Sequence, residues 1–313
     1  MAAATAGCMA GTDANKVWQL PDTTGMKNEV VMLGGRSAFD SAIRLTGAKL
    51  VILGDLDELP GALGERTTMV YTTWLGERLE KALAVTKKAG VPLLLDDAAG
   101  IPPIENLTAY ARMGIDLFCF SGGKGLCGPQ CSGILLGRQD LIDAALAQCS
   151  PWEGAVCRAM KVGKEEIVGV LAAVEAWTRL DLGALNKQWS RRVERIARLV
   201  ETVPGVTTDI TIPVGGNSYP TLTVSWDQEA FGFTVADCDR ELRAGEPRIE
   251  VLTSSNPSFV SAVHEGVQAG RKATVRQPDR LQIISMTMKD GEELVVGRRL
   301  REILNKASRK VKA

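Results

Sequence analysis

The sequence predicts an α/β fold: a mostly parallel sheet sandwiched by helices, followed by a smaller α+β C-terminal domain. Three observations predict it. Short apolar strands alternate with helical segments from Glu29 to Leu95, and such alternation implies a parallel sheet covered on both faces. The run Val91 to Leu95 is almost continuously apolar, as a strand buried on both faces requires, and it ends in two carboxylates, Asp96 and Asp97. Beyond Gly205 the pattern changes to strands and helices of a different order, which marks the second domain. The division is expected as residues 1–183 for the large domain and 184–313 for the small one with its linking helix.

In chain order, Ala2 to Met9 is a run of small residues that fits a buried helix, and a domain opening there reads as amino-terminally truncated. Strands are expected at Glu29 to Met32, Lys49 to Leu53, Thr67 to Tyr71 and Val91 to Leu95. Helices are expected at Ser37 to Leu45, Leu56 to Leu63 and Leu75 to Ala89, the last with Leu75, Leu79, Ala82 and Leu83 at helical spacing. A strand before Ser121 runs into a glycine-rich turn and returns as Ile134 to Leu136. Asp140 to Ala147, Glu165 to Leu182 and Leu185 to Val203 read as helices, and Arg191, Arg192, Glu194, Arg195 and Arg198 as a solvated face of the third. The small domain is expected to hold strands at Val206 to Ile212, Thr221 to Trp226, Ile249 to Thr253 and Leu281 to Met286. Its helices are Thr234 to Arg243 and Glu292 to Leu304, with Gly266 to Asp279 a polar loop and His264 on the surface.

Composition narrows the function. Lysine plus arginine equals aspartate plus glutamate at 37 each, so no basic excess is available to hold nucleic acid. No apolar run reaches membrane-spanning length. Seven cysteines in apolar or glycine-rich surroundings suggest reduced thiols in a cytoplasmic enzyme. No metal site is expected, because the chain has one histidine and no CxxC spacing.

The chemistry centres on Ser121-Gly-Gly-Lys-Gly-Leu-Cys-Gly128. Gly123-x-Gly125-x-x-Gly128 has the letters of a dinucleotide fingerprint, but Pro129 and a strand follow where that fingerprint opens a helix. A phosphate-binding P-loop would need Ser or Thr where Gly125 stands. A lysine at the end of a buried strand is costly without a chemical role, and a desolvated lysine can lose its proton and attack a carbonyl. Flanking glycines would let another molecule approach the backbone. A Schiff-base lysine for pyridoxal 5'-phosphate (PLP) also requires an acid at the end of another strand, which Asp96 supplies. Asp97 reads as a solvated strand-end carboxylate.

Four stretches carry a resemblance: Asp96-Asp-Ala-Ala-Gly-Ile-Pro-Pro103, Ser121-Gly-Gly-Lys-Gly-Leu-Cys-Gly-Pro-Gln130, Gly137-Arg-Gln-Asp-Leu-Ile142 and Arg158-Ala-Met-Lys-Val-Gly-Lys-Glu-Glu-Ile167. Over essentially its whole length the chain resembles the fold type I PLP-dependent enzymes related to selenocysteine synthase (L-seryl-tRNA(Sec) selenium transferase). It is most similar to their D-glucosaminate-6-phosphate ammonia-lyase branch. The resemblance implies that Lys124 holds PLP as a Schiff base, that Asp96 pairs with the ring nitrogen, and that Ser121 and Gly122 contact the cofactor. It implies that Arg158 and Lys161 hold an anionic reactant and that Arg248 or Arg280 takes a substrate carboxylate. Arg36 or Phe39 would stand where the family often has a ring-stacking histidine.

The implied activity is α,β-elimination on an amino acid or amino sugar acid by a homo-oligomer. The alternatives are selenium transferase-like β-replacement and a truncated, non-catalytic homologue acting as an interaction protein. Gly123 stands where the selenium transferases carry aspartate, which favours the lyase reading over transfer to a seryl-tRNA.

Overall fold

The structure, a computed structural model, describes residues 1–37, 39–254 and 280–310, so His264 and the loop Gly266 to Asp279 lie outside the described residues. The chain forms two compact units: Met1–Arg179 with Gly215–Asn217, and Leu180–Val214 with Ser218–Ala313.

The first unit is built on six strands, β1 (Glu29–Leu33), β2 (Lys49–Leu53), β3 (Thr67–Thr72), β4 (Leu93–Asp96), β5 (Leu117–Ser121) and β6 (Gly133–Gly137), in the order β2-β1-β3-β4-β5-β6. The first five are parallel; β6 returns antiparallel to β5, with Ser121 opposite Gly133. Val30 to Leu33 and Leu93 to Leu95 are fully buried, as continuous apolar runs in a two-sided sheet must be.

Helices α1 (Ala2–Ala10), α2 (Ala14–Gln19), α3 (Asp40–Arg44), α4 (Leu59–Ala62), α5 (Glu77–Ala89), α6 (Asn106–Met113), α7 (Gln139–Leu146) and α8 (Lys164–Arg179) complete this unit. The small residues of α1 permit close approach to α7, since a Cβ on Gly7 would lie 2.8 Å from the Ala144 carbonyl carbon. Asp13 caps α2 by accepting from the amides of Asn15 and Lys16. Neither α2 nor α6 is expected from the sequence pattern. Helix α6 is only eight residues long and follows Pro102-Pro103, which reads as a break, yet Gly114 closes it in the left-handed conformation.

The second unit holds α9 (Leu182–Val200), β7 (Val206–Thr211), β8 (Thr221–Trp226), α10 (Gln228–Phe231), α11 (Val235–Arg243), β9 (Leu252–Ser254), β10 (Arg280–Ile284) and α12 (Glu292–Lys310). Its sheet runs β7-β8-β10-β9 with antiparallel pairings throughout. Val193, Ile196, Val200, Leu222, Leu281 and Leu300 share one buried cluster. Thr234 opens α11 with a capping box to Asp237.

The charged face expected on α9 is partly a packing face. Arg192 is 8% exposed, donates to the Ser285 carbonyl at 3.2 Å and pairs with Asp290 at 2.8 Å. Arg195 reaches buried Glu293 at 2.7 Å. Both acidic partners sit at or just before the start of α12, about a hundred residues away in sequence, which a charge pattern along one helix does not reveal.

Candidate active site at the carboxyl ends of β3, β4 and β5

Parallel strands deliver their carboxyl ends to one edge, where loops diverge and a ligand can be held. Strand β4 ends there in Asp96, half-buried and in register with Cys119 of β5. The Tyr71 phenol, from β3, donates to Asp96 Oδ2 at 2.8 Å, and the Cys119 thiol lies 3.5 Å from Oδ1. Burial, followed by the negative charge of Asp96, pushes the Tyr71 phenol far above its ordinary range and the Cys119 thiol up to about 12. Both groups therefore keep their protons near neutrality and act as donors.

Asp97 is not the solvated carboxylate expected. It is 5% exposed and accepts from the Tyr110 phenol at 2.6 Å. Burial raises its carboxyl above the ordinary range, the Tyr110 bond opposes this, Asp96 adds to the rise and the charge of Lys124 opposes it. The turn Asp97-Ala-Ala-Gly100 wraps so closely that a Cβ on Gly100 would stand 1.8 Å from Asp97 Oδ2. The amide of Asn217 donates to the Ala99 carbonyl at 2.8 Å and fastens the same turn.

Lys124 follows β5 on the glycine turn. Its side chain is exposed, which departs from the desolvated lysine expected, and its Nζ lies 5.8 Å from the centre of the Phe39 ring, within cation–π range. The reason lies in the glycines. A Cβ on Gly122 would stand 2.0 Å from Ser132 Oγ, one on Gly123 2.6 Å from Gln130 Cα, and one on Gly125 1.7 Å from the Ile101 carbonyl oxygen. The chain's own segments occupy the space that the sequence suggested for another molecule. Packed on that inner side, the turn presents Lys124 outward. Trp177 of α8 holds it further by donating to the Leu126 carbonyl at 3.1 Å.

The remaining expected residues are distributed as follows. Ser121, half-buried, ends β5 and donates its amide to the Ala98 carbonyl at 3.1 Å, so Asp96, Ser121, Gly122 and Lys124 share the ends of two neighbouring strands. Arg36 is bound by buried Asp40, which leaves Phe39 as the residue at Lys124. Arg158 is half-buried in the segment before α8, and its Nε has no hydrogen-bond partner among the described residues; Lys161 is exposed. Arg248 and Arg280 belong to the second unit. Arg248 is paired with Glu250 at 2.6 Å and borders a cavity of about 430 Å³ floored by Ile249, Val251 and Ile283, while Arg280 begins β10. The sequence reading missed Tyr71, Tyr110 and Cys119. A tyrosine inside an otherwise apolar buried strand needs a partner for its hydroxyl, and that was the available signal for Tyr71.

Residues 49–177 match the family described as Aminotransferase class-V. The chain is 33% identical to a 5'-C-glycyluridine monooxygenase-decarboxylase from a Streptomyces species, over 80% of this chain and 65% of that protein. It is 27% identical to the D-glucosaminate-6-phosphate ammonia lyase of Salmonella typhimurium, over 98% of this chain and 79% of that one. Against an L-seryl-tRNA(Sec) selenium transferase of Moorella thermoacetica it is 24% identical over 66% of this chain, and it spans 51% of that protein's length. A solved structure of D-glucosaminate-6-phosphate ammonia-lyase matches with a TM-score of 0.72 at 26% identity, covering 98% of this chain and 79% of that chain.

Proposed function

Because this chain belongs to the PLP-dependent enzymes of fold type I, with an aminotransferase class-V domain and with ammonia lyase and selenium transferase homologues, we propose that it catalyses α,β-elimination on an amino acid or amino sugar acid. The observation that carries the reading is the pair Asp96 and Lys124 at the ends of adjacent strands β4 and β5, with the Phe39 ring over the amine. A carboxylate, a primary amine and an aromatic face are the chemical counterparts of a pyridine nitrogen, an aldehyde and a planar ring, so these residues fit PLP. When bound, PLP supplies an electron sink for charge developing at a substrate α-carbon.

Lys124 would hold the cofactor through its amine and would serve as the base for the substrate α-proton. Asp96 holds a positive charge at the ring nitrogen. Ser121 and the Gly122 turn would contact the cofactor on the side away from Ser132, and Arg158 and Lys161 would bind an anionic group of the reactant. Either Arg248 or Arg280 of the second unit would bind the substrate carboxylate. Support for the reaction type is the match over 98% of the chain to the ammonia lyase; the equality of 37 basic and 37 acidic residues offers no field for a tRNA.

A second reading is favoured by one observation, the 33% identity to the monooxygenase-decarboxylase. Under it the same lysine and carboxylate would serve loss of CO₂ from an α-amino acid group, with dioxygen as co-reactant.

We also propose a homo-oligomer in the cytoplasm. Ile167, Val168 and Leu171 form a stripe on α8 that is 55%, 65% and 57% exposed in the single chain, and all seven cysteines are free. Among the described residues, no helix is long and apolar enough to cross a membrane.

The test begins with purified protein and added PLP. A visible absorption band that borohydride abolishes and that Lys124→Ala lacks supports the cofactor and its lysine. A substrate screen then reads ammonium and 2-oxo acid for elimination, or dioxygen uptake with CO₂ release for the second reading. Lys124→Ala is expected to lower turnover by at least about 10²–10⁴-fold, the usual contribution of a general base. A wild-type protein without a band at saturating PLP would overturn the proposal.

A further inference from the structure

Asp96 accepts one donor on each carboxylate oxygen, and each donor comes from a different flanking strand. Tyr71 of β3 serves Oδ2 at 2.8 Å, and Cys119 of β5 serves Oδ1 at 3.5 Å. In the sheet order, β3, β4 and β5 are consecutive, so the carboxylate is gripped from both sides. Tyr71 is itself held: it is 2% exposed, in a strand buried along its whole length.

Both donors are uncharged, and that choice has a consequence. A lysine or arginine in either place would neutralise Asp96 and leave no charge for a ring nitrogen. Neutral donors stabilise the carboxylate anion and fix its rotation while leaving its full charge in place. A carboxylate has about four lone-pair sites, so two donors leave room for a third.

We propose that Tyr71 and Cys119 are positioning residues that hold the Asp96 carboxylate in the rotation in which it would meet the ring nitrogen of PLP. This inference rests on the PLP reading above. The donors favour the charged pair, carboxylate with protonated ring, over the neutral pair in which the proton has moved to Asp96. Without one donor the carboxylate would balance the ring nitrogen less well, and the visible band, which reports the charge on the bound ring, would titrate at higher pH. The other charges facing this cluster are Asp97 and the amino-terminal ammonium, with Lys124 acting on Asp97. None is altered by the variants below.

The experiment is a pH titration of the visible cofactor band in the PLP-loaded protein, comparing wild type with Tyr71→Phe, Cys119→Ala and Cys119→Ser. Tyr71→Phe should raise the midpoint by about one pH unit, the size expected when one hydrogen bond to a charged group is lost. Cys119→Ala should raise it by less, because a thiol is a weak donor, and Cys119→Ser should restore the wild-type midpoint. Midpoints unmoved in both Tyr71→Phe and Cys119→Ala overturn this proposal alone. If Tyr71→Phe loses its circular-dichroism fold, the Cys119→Ala and Cys119→Ser pair decides. A wild-type protein that forms no band overturns the PLP reading and this inference with it.

Discussion

At Gly125 a methyl group has nowhere to go: its Cβ would stand 1.7 Å from the Ile101 carbonyl oxygen, a backbone atom that cannot rotate away. Gly125→Ala is therefore expected to cost about 3 kcal/mol, the upper end of overpacking penalties, in a urea unfolding series. Gly54→Ala is the control, since a Cβ there meets nothing within 4 Å, and it should fall within about 0.5 kcal/mol of wild type. The importance of these glycines was legible in the sequence, but their reason was not. A glycine beside a lysine reads as room for a ligand, whereas Gly122, Gly123 and Gly125 make room for Ser132, Gln130 and Ile101 of the same chain. Asp97 gives the same lesson. Two adjacent strand-end carboxylates look equivalent in sequence, yet the next element, α6, carries Tyr110 to within 2.6 Å of Asp97 and buries it. That helix lies beyond two prolines, where pattern reading stops.

Helix α9 was readable as an amphipathic helix because its apolar residues recur at helical spacing; the fate of its charges was not. Arg195 and Glu293 are separated by 98 residues, and their pairing depends on how α9 and α12 pack. Glu293 is nearly fully buried, and that burial by itself would raise its carboxyl. The bonds from Arg195 and from backbone amides, including that of Gly291, outweigh it and hold the group below the ordinary range. A carboxyl depressed in the folded state stabilises it above the unfolded value and loses that contribution as pH falls through the folded value. Glu293→Gln should thus lower stability by about 1–2 kcal/mol at pH 7, a figure discounted because Arg195 is half exposed. The deficit should shrink as pH drops below about 4, measured as the difference in urea midpoints between variant and wild type.

For the molecule as a whole, alternation of strands and helices was enough to anticipate a parallel α/β sheet followed by an antiparallel α+β unit. Strand order was not, because periodicity says which residues are buried but not which strands are neighbours. Nothing local to β1 indicates that it lies between β2 and β3. The apolar stripe on α8 belongs to this scale. Light scattering is expected to give at least twice the 33.5 kDa chain mass, and the double variant Ile167→Asp, Leu171→Asp should move the protein toward a single chain. A wild-type mass equal to one chain would remove the homo-oligomer from the reading.

The fastening of Ala99 by Asn217 offers a practical readout. Residues 215–217 lie in the connection between β7 and β8, yet they cluster with the unit that contains Asp96. One amide proton in a surface connection, hydrogen-bonded at 2.8 Å, is thus a built-in sensor for the turn beside the strand-end carboxylates. In deuterium-exchange mass spectrometry the peptide containing Asn217 should take up label slowly for a loop. Its uptake should quicken in Gly100→Ala, where the turn cannot close over Asp97, without a matching change along β10.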